Sequence, residues 1–280
     1  MLTFSFRPIL IKLAYAAHPI SPTTLIFLRM VISLPFFLAT AWWLRGGARL
    51  TPRDWIGVAA LGFLGYYLAS YLDFLGLQYV GAGVGRLLLF LYPTLVLALS
   101  WVFLRRRPTV RQVVALFLTY AGVALVVSDQ VATPEGKLFL FGVLLVFASA
   151  LCYAAYLVAG SQLVQRVGSM RFTAYSMIAA TVPVVLQFLV LEDASSLELP
   201  REVWLYAATI GTFCTVLPVF LQAEALRRIG ATEFALVGAV SPVSVAVMSA
   251  LGLGEPFGLP QVAGAALVIG GVLLVSLKRS

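Results

Sequence analysis

The sequence predicts an all-α integral membrane protein of ten transmembrane helices, arranged as two inverted five-helix repeats. Composition, an internal repeat and the distribution of charge between loops carry this expectation. Of the 280 residues, 61% are hydrophobic and 11% are charged, and the mean hydropathy is +1.01. A water-soluble domain carries about twice that share of charge, so lipid must solvate much of the surface. In lipid only helices or a closed barrel satisfy every backbone group. Barrel strands would alternate polar and apolar residues, whereas the apolar runs here last about 20 residues, the length of a spanning helix.

Displaced by 149 positions, the chain aligns with itself. Trp55 falls on Trp204, Gly62 on Gly211, Gly81-Ala82 on Gly230-Ala231, Pro93 on Pro242, Gln112-Val113 on Gln261-Val262 and Gly122-Val123 on Gly271-Val272. Between residues 55 and 126, 20 of 72 positions are identical to their counterparts, against roughly 6 expected by chance in so apolar a chain. Upstream, at an offset of 148, Ser21 meets Ser169 and Pro35 meets Pro183. The chain therefore reads as two copies of one unit, residues 1–128 and 138–277, within a single membrane domain.

The expected spans are 2–17, 22–44, 54–78, 82–104, 109–128, 138–164, 170–191, 202–226, 231–253 and 258–277. Turn and cap signals separate them, among them Ser21-Pro22, Thr51-Pro52, Arg107-Pro108, Thr133-Pro134 and Leu199-Pro200. The first span is the awkward one. Residues 1–17 reach only about 25 Å, as if a turn were missing. Ala14-Tyr15-Ala16 looks like a signal-peptidase site, but Lys12 interrupts the apolar stretch and the repeat needs a helix here.

Charge divides by side. Arg7, Arg45, Arg49, Arg53, Arg105, Arg106, Arg107, Arg111, Arg166, Arg171, Arg227, Arg228, Lys278 and Arg279 fall on one side. The other has Lys137 and Arg201, with Asp129, Glu135, Glu192, Asp193, Glu198, Glu202 and Glu255. By the positive-inside rule both termini are cytoplasmic in a bacterial-type inner membrane. The tryptophans fit as interfacial anchors, with Trp42, Trp43, Trp55 and Trp101 at the inner face and Trp204 at the outer. The formal charge of +8 is thereby a topology signal, and nucleic acid is not an expected partner. An odd number of spans per copy makes the second copy enter from the opposite face, which marks a class of secondary transporters.

Ten spans as five plus five, Leu28-Arg29 in the second, Tyr92-Pro93 in the fourth, Ser241-Pro242 in the ninth, and Gly254-Glu255 followed by Gln261-Val262-Ala263-Gly264 and Gly270-Gly271-Val272 resemble the EamA type of the drug/metabolite transporter superfamily. The resemblance covers essentially the whole chain. One departure is that Arg106 occupies the first-copy position that matches Glu255. The resemblance implies an inner-membrane exporter of amino acids or other small metabolites.

Charge inside a membrane is expensive, about 3 kcal/mol per group even on insertion scales, so its exceptions are the candidate gating residues. Lys12, Arg29, Asp73 and Arg86 lie toward the outer ends of their spans. Asp73 is expected to pair with Arg86, with Arg29 or Lys12 nearby, and to close the outer mouth; structural pairing or snorkelling is the alternative. Glu224 and Glu233, beside Arg227 and Arg228, form either the inner counterpart or an interfacial salt-bridge cluster. Three polar stripes are the candidate cavity wall. Tyr66, Ser70 and Asp73 share a face at i, i+4, i+7. Thr212, Thr215 and Gln222 lie near one face of the eighth span, Thr215 and Gln222 at the positions matching Tyr66 and Asp73. Ser149, Tyr153 and Tyr156 repeat the pattern in the sixth. Each could instead bond a neighbouring helix. Pro93 and Pro242, at matched mid-helix positions, are candidate hinges.

The leading function is export of small polar or amphipathic metabolites by alternating access. A small-molecule substrate and the bilayer are the expected partners, and monomer and dimer both remain open. No cofactor or metal is expected, because His18 is the single histidine, and Cys152 and Cys214 both sit within spans without a ligand cluster. A membrane-embedded enzyme or lipid-handling protein would need clustered acids or histidines at one interface. A channel would need a ring of like residues. Multidrug efflux of lipophilic cations would want an acid in the first span, which has Lys12 instead. The Walker A pattern for ATP is missing, so an ion or the substrate's own gradient is the expected driver, with Asp73 and Glu224 as candidate proton carriers. The aromatic residues in the stripes admit an apolar side chain, and the outer cations tolerate a carboxylate.

Overall fold

Helices begin where the sequence supplies caps. In the computed structural model, which describes residues 2–44, 50–104, 109–131, 136–237 and 259–276, α1 spans Leu2–Ala17 and α2 spans Pro22–Trp43. The Ser21 hydroxyl caps α2 by accepting the Thr24 N–H at 3.0 Å, and Pro22 occupies the first turn, where a missing N–H does no harm. Helix α3 (Pro52–Gly62) starts with a reciprocal capping box between Thr51 and Asp54. A π-helical turn at Phe63–Leu68 leads into α4 (Ala69–Gly76). Then come α5 (Ala82–Leu89), α6 (Tyr92–Leu104), α7 (Val110–Val131), α8 (Gly136–Val167) and α9 (Ser169–Leu191). A one-residue turn joins the last two at Gly168, whose φ of +87° suits glycine. Helix α10 (Arg201–Gly211) passes through a second π turn, Thr212–Val216, into α11 (Leu217–Val237), which is broken at Gly230 where φ is +77°, and α12 is Leu259–Ser276.

Among the described residues six helical segments are long and apolar enough to cross a bilayer: Pro22–Trp43, Pro52–Gly76, Ala82–Phe103, Gly136–Val167, Ser169–Leu191 and Arg201–Ala231. Shorter apolar helices, Val113–Gly122 and Val262–Gly271, lie within α7 and α12. Trp42, Trp43, Trp55, Trp101 and Trp204 are all exposed, as are Ile56, Phe103, Phe117, Val190 and Phe213. Apolar surface on this scale is what a bilayer covers. Of the expected ninth span, only the residues up to Val237 are described. Ser241-Pro242, Gly254-Glu255 and Arg105–Arg107 lie outside the described residues, as does the side chain of Glu233.

Three departures from the sequence expectation are local. The third and eighth spans are not plain α-helices. Each carries a π turn, and the two begin at Phe63 and Thr212, 149 residues apart. The fourth span does not kink at Pro93; it breaks ahead of it, with α5 ending at Leu89 and α6 starting at Tyr92. A mid-helix proline lacks the N–H for its ladder bond, and its ring meets the carbonyl four residues back. Here the Leu91 N–H bonds the Leu88 carbonyl at 3.0 Å, so the chain tightens at Phe90-Leu91 and Pro93 falls in a first turn.

Helix α2 lies against α9, and the two run antiparallel. At one end the Ser21 hydroxyl donates to the Glu192 carboxylate. At the other, Arg171 Nη2 donates to the Leu44 carbonyl at 2.8 Å. Phe27 and Phe188 stack between, ring centroids 4.0 Å apart. On the Arg171 side, Asp54 also meets Arg166 at 3.3 Å. Helix α3 packs on α9, α10 packs on α2, and α7 packs along α12.

Two matched glycines let the α3/α9 and α10/α2 contacts close. A Cβ on Gly62 would lie 2.4 Å from the Ser176 carbonyl oxygen, and one on Gly211 would lie 3.1 Å from that of Arg29. Gly62→Ala is therefore expected to cost about 1–3 kcal/mol, as overpacking does, and Gly211→Ala clearly less. Thermal unfolding in detergent checks this, and an equal loss at both positions would contradict the packing described.

Candidate functional site

Both π turns open onto one cavity. A π turn widens the backbone ladder and leaves a carbonyl to find another donor. In the first turn, the Tyr66 carbonyl accepts Arg29 Nη2 at 3.1 Å. In the second, the Thr215 hydroxyl bonds back to the Ile210 carbonyl at 2.7 Å. Tyr66 and Thr215 are the residues aligned by the 149-residue offset, and both line the cavity with Arg7, Arg29, Arg86 and Gln222. Ser70, Ser149, Tyr92 and Tyr153 complete the polar wall, and Leu89, Val219 and Phe234 supply apolar surface. The cavity volume is about 70 Å³, room for about five waters at ~10–15 Å³ each.

Tyrosines make up one side. The Tyr66 and Tyr156 hydroxyls are 2.6 Å apart, and Tyr153 donates to Gln222 Oε1 at 3.1 Å. The Tyr153 ring stands edge-on to Tyr92, centroids 5.2 Å apart, and stacks with Tyr156 at 6.0 Å. Gly65 makes room for this group, since a Cβ there would come within 2.4 Å of the Tyr156 ring. The Ser149 hydroxyl ties α8 to the carbonyl of Ala69 at 2.6 Å.

Charge makes up the other side. Arg7 Nη2 pairs with Asp73 Oδ2 at 2.7 Å, their side chains 14% and 7% exposed. Arg29 Nη2 also reaches Ser70 Oγ at 3.2 Å. The buried Phe74 ring neighbours both cations, its centroid 6.0 Å from the Arg7 guanidinium carbon and 5.6 Å from that of Arg29, within cation–π reach.

The structure brings together Tyr66, Ser70, Ser149, Tyr153, Thr215 and Gln222 from the three expected stripes. It sets three others apart from the lining. Tyr156 stands fully buried behind Tyr66. Thr212 bonds the Ala208 carbonyl of its own helix at 2.7 Å. Asp73 faces Arg7, so the pairing expected with Arg86 gives way to one that the sequence did not indicate, and Arg86 and Arg29 line the cavity instead. Arg7 itself is not the loop cation that the charge count made it. It lies within α1, where the expense argument applied to Lys12 would have singled it out. Lys12 follows it on α1, outside the lining residues described. Glu224 joins Arg227 at 2.7 Å, Arg228 at 2.6 Å and Ser169 at 2.6 Å in a cluster apart from the described lining. Pro93 is buried directly after Tyr92 of the wall, whereas Pro242 lies outside the described residues.

Removing one member of a buried ion pair strands the other, at a typical cost of about 3–5 kcal/mol, while apolar replacement of both is often neutral. Asp73→Asn is accordingly expected to lower the unfolding midpoint in detergent strongly, and Arg7→Met with Asp73→Leu to recover most of it. A double variant no better than the single one would contradict the pairing.

Comparison with known proteins gives a consistent picture. The EamA-like transporter family matches residues 1–128 and again residues 140–277. The chain is 29% identical to YcbK, an uncharacterized transporter of Bacillus subtilis (strain 168), over 97% of this chain and 87% of that one. It is 30% identical to YyaM, an uncharacterized transporter of the same organism, over 80% and 74%. An uncharacterized transporter of Archaeoglobus fulgidus is 24% identical over 93% and 89%. A protein of known crystal structure superposes with a TM-score of 0.71 at 19% identity, covering 99% of this chain and 97% of that one, which is a likeness of fold.

Proposed function

The chain belongs to the EamA-like transporter family, and from that premise we propose that it is a secondary transporter of the inner membrane, exporting small metabolites of the amino-acid kind by alternating access. The observation that carries this reading is a single cavity whose wall draws on both halves: Arg7, Arg29, Tyr66 and Ser70 from the first, Tyr153, Thr215 and Gln222 from the second. In an inverted repeat the halves exchange roles, so one sequence builds an outward-open and an inward-open shape of similar energy. Three features support that arrangement. The matched helices α2 and α9 are antiparallel, the π turns recur 149 residues apart, and the family matches the chain twice.

Room for about five waters is little for a solute with a large side chain, so such a substrate enters when the surrounding helices part. The break at Phe90-Leu91 and the two π turns interrupt otherwise regular ladders beside the cavity, and these are the places where such movement costs least. The tyrosines offer apolar faces with polar tips, a wall suited to an amphipathic solute. An arginine-lined wall disfavours lipophilic cations, which weighs against multidrug efflux of that class.

Reconstituted into proteoliposomes, the protein is expected to move a subset of amino acids or dipeptides down their gradients. The uptake panel should be run with and without an imposed pH gradient. A response no different from empty vesicles across the whole panel would refute the amino-acid assignment.

A further inference from the structure

Among the described residues, the buried groups of the cavity wall that lack a hydrogen-bond partner are donors. Arg7 Nε and Arg29 Nε are two of them, and both residues line the cavity. No carboxylate is among the described lining residues. Arg7 has its charge matched by Asp73 at 2.7 Å, from outside the lining. Arg29 is different. Its Nη2 meets neutral acceptors, the Tyr66 carbonyl at 3.1 Å, Ser70 Oγ at 3.2 Å and the Met30 sulfur at 3.4 Å, and the residue is 2% exposed. Guanidinium does not lose its proton in proteins, so a full positive charge sits in the interior with one edge of its fork unused. Asp73 acts on Arg29 from a distance while it pairs with Arg7, but among the described residues no carboxylate bonds Arg29, and a buried donor without an acceptor is costly.

We propose that Arg29 docks an anionic substrate: the cavity accepts a small molecule carrying a carboxylate or another oxyanion, and that anion completes the hydrogen bonding of the Arg29 guanidinium. A carboxylate or phosphate can engage a guanidinium through two parallel N–H bonds, and the unengaged Nε edge of Arg29 supplies such a seat once the helices around the cavity part. The Tyr92 and Tyr153 rings supply the surface for the apolar part. The inference rests on the reading of this cavity as the transport site, and it narrows the substrate class from small metabolites to small anions and zwitterions.

Four probes built on one carbon skeleton test it on the full-length protein. These are L-leucine, 4-methylpentanoate (which lacks the amine), 3-methylbutylamine (which lacks the carboxylate) and 3-methylbutyl phosphate. Binding is measured by calorimetry in detergent, and movement by flux in proteoliposomes. At least one of the three oxyanion-bearing probes is expected to bind at least about tenfold tighter than the amine, and the ranking of carboxylates against the phosphate identifies which oxyanion the seat fits. Arg29→Lys keeps the charge and loses the fork. It is expected to lower the ratio of acid to amine affinity about tenfold, and Arg29→Gln to abolish the preference. A merely structural arginine would weaken all probes alike. The wild-type panel decides the matter even if Arg29→Gln does not fold. Amine binding as tight as that of the acids overturns the anion site and leaves transport standing. So does failure of every oxyanion probe to bind at about 10 mM. Acids that bind at Arg29 while no probe crosses faster than into empty vesicles support the anion site and count against the transport reading alone.

Discussion

Helices α2 and α9 run antiparallel in contact, tied at one end by Ser21 and Glu192 and at the other by Arg171 and the Leu44 carbonyl, and the interior is arranged about that pair. Each presents a close-approach surface to a helix of the other half. The Ser176 backbone of α9 receives Gly62 at the end of α3, and the Arg29 backbone of α2 receives Gly211 at the end of α10. Immediately after each of those glycines the chain enters its π turn. The turns therefore sit where the helix crossings hold them, and they deliver Tyr66 and Thr215 to the same space. Without the small residues at the crossings, the two turns would not reach a common cavity.

Within that frame the wall sets positive charge against aromatic surface. Lipid gives no solvation to an arginine, so each buried guanidinium must be met from inside the protein. Arg7 is met by Asp73, and the ring of Phe74 neighbours both Arg7 and Arg29. The tyrosines hold one another through the Tyr66–Tyr156 and Tyr153–Gln222 bonds, which fixes their rings, while among the described residues Arg29 Nε meets no acceptor. A guanidinium edge left without an acceptor beside aromatic surface points to what would complete it.

Much of this was legible in the sequence, because helical periodicity and the 149-residue offset report which residues share a face. Tyr66 and Ser70 on one helix, Thr215 and Gln222 on another, and Ser149 and Tyr153 on a third could be grouped before any coordinates. Partnership across helices was less legible. Asp73 has several cations within plausible reach, and only the packing of α1 selects Arg7 over Arg86. Counting Arg7 with the loop charges concealed it, since a tally by side does not separate a loop cation from one a turn inside a helix. Thr212 shared the polar stripe, yet its hydroxyl could bond its own helix, an alternative that periodicity does not see. Pro93 marked the interruption of the fourth span correctly but not its form, because a proline can be accommodated by a bend or by a fresh helix start.

The claim on which the account turns is that the two ends of the α2–α9 pair face opposite sides of the membrane. Single cysteines at Arg53 and Ser195, both exposed, in a chain with Cys152 and Cys214 replaced, would be treated in intact cells with a membrane-impermeant maleimide. Labelling of Ser195→Cys, with Arg53→Cys reacting only after the membrane is opened, is the predicted result. Equal labelling of both positions from one side would contradict the antiparallel crossing, and the shared cavity would lose its frame.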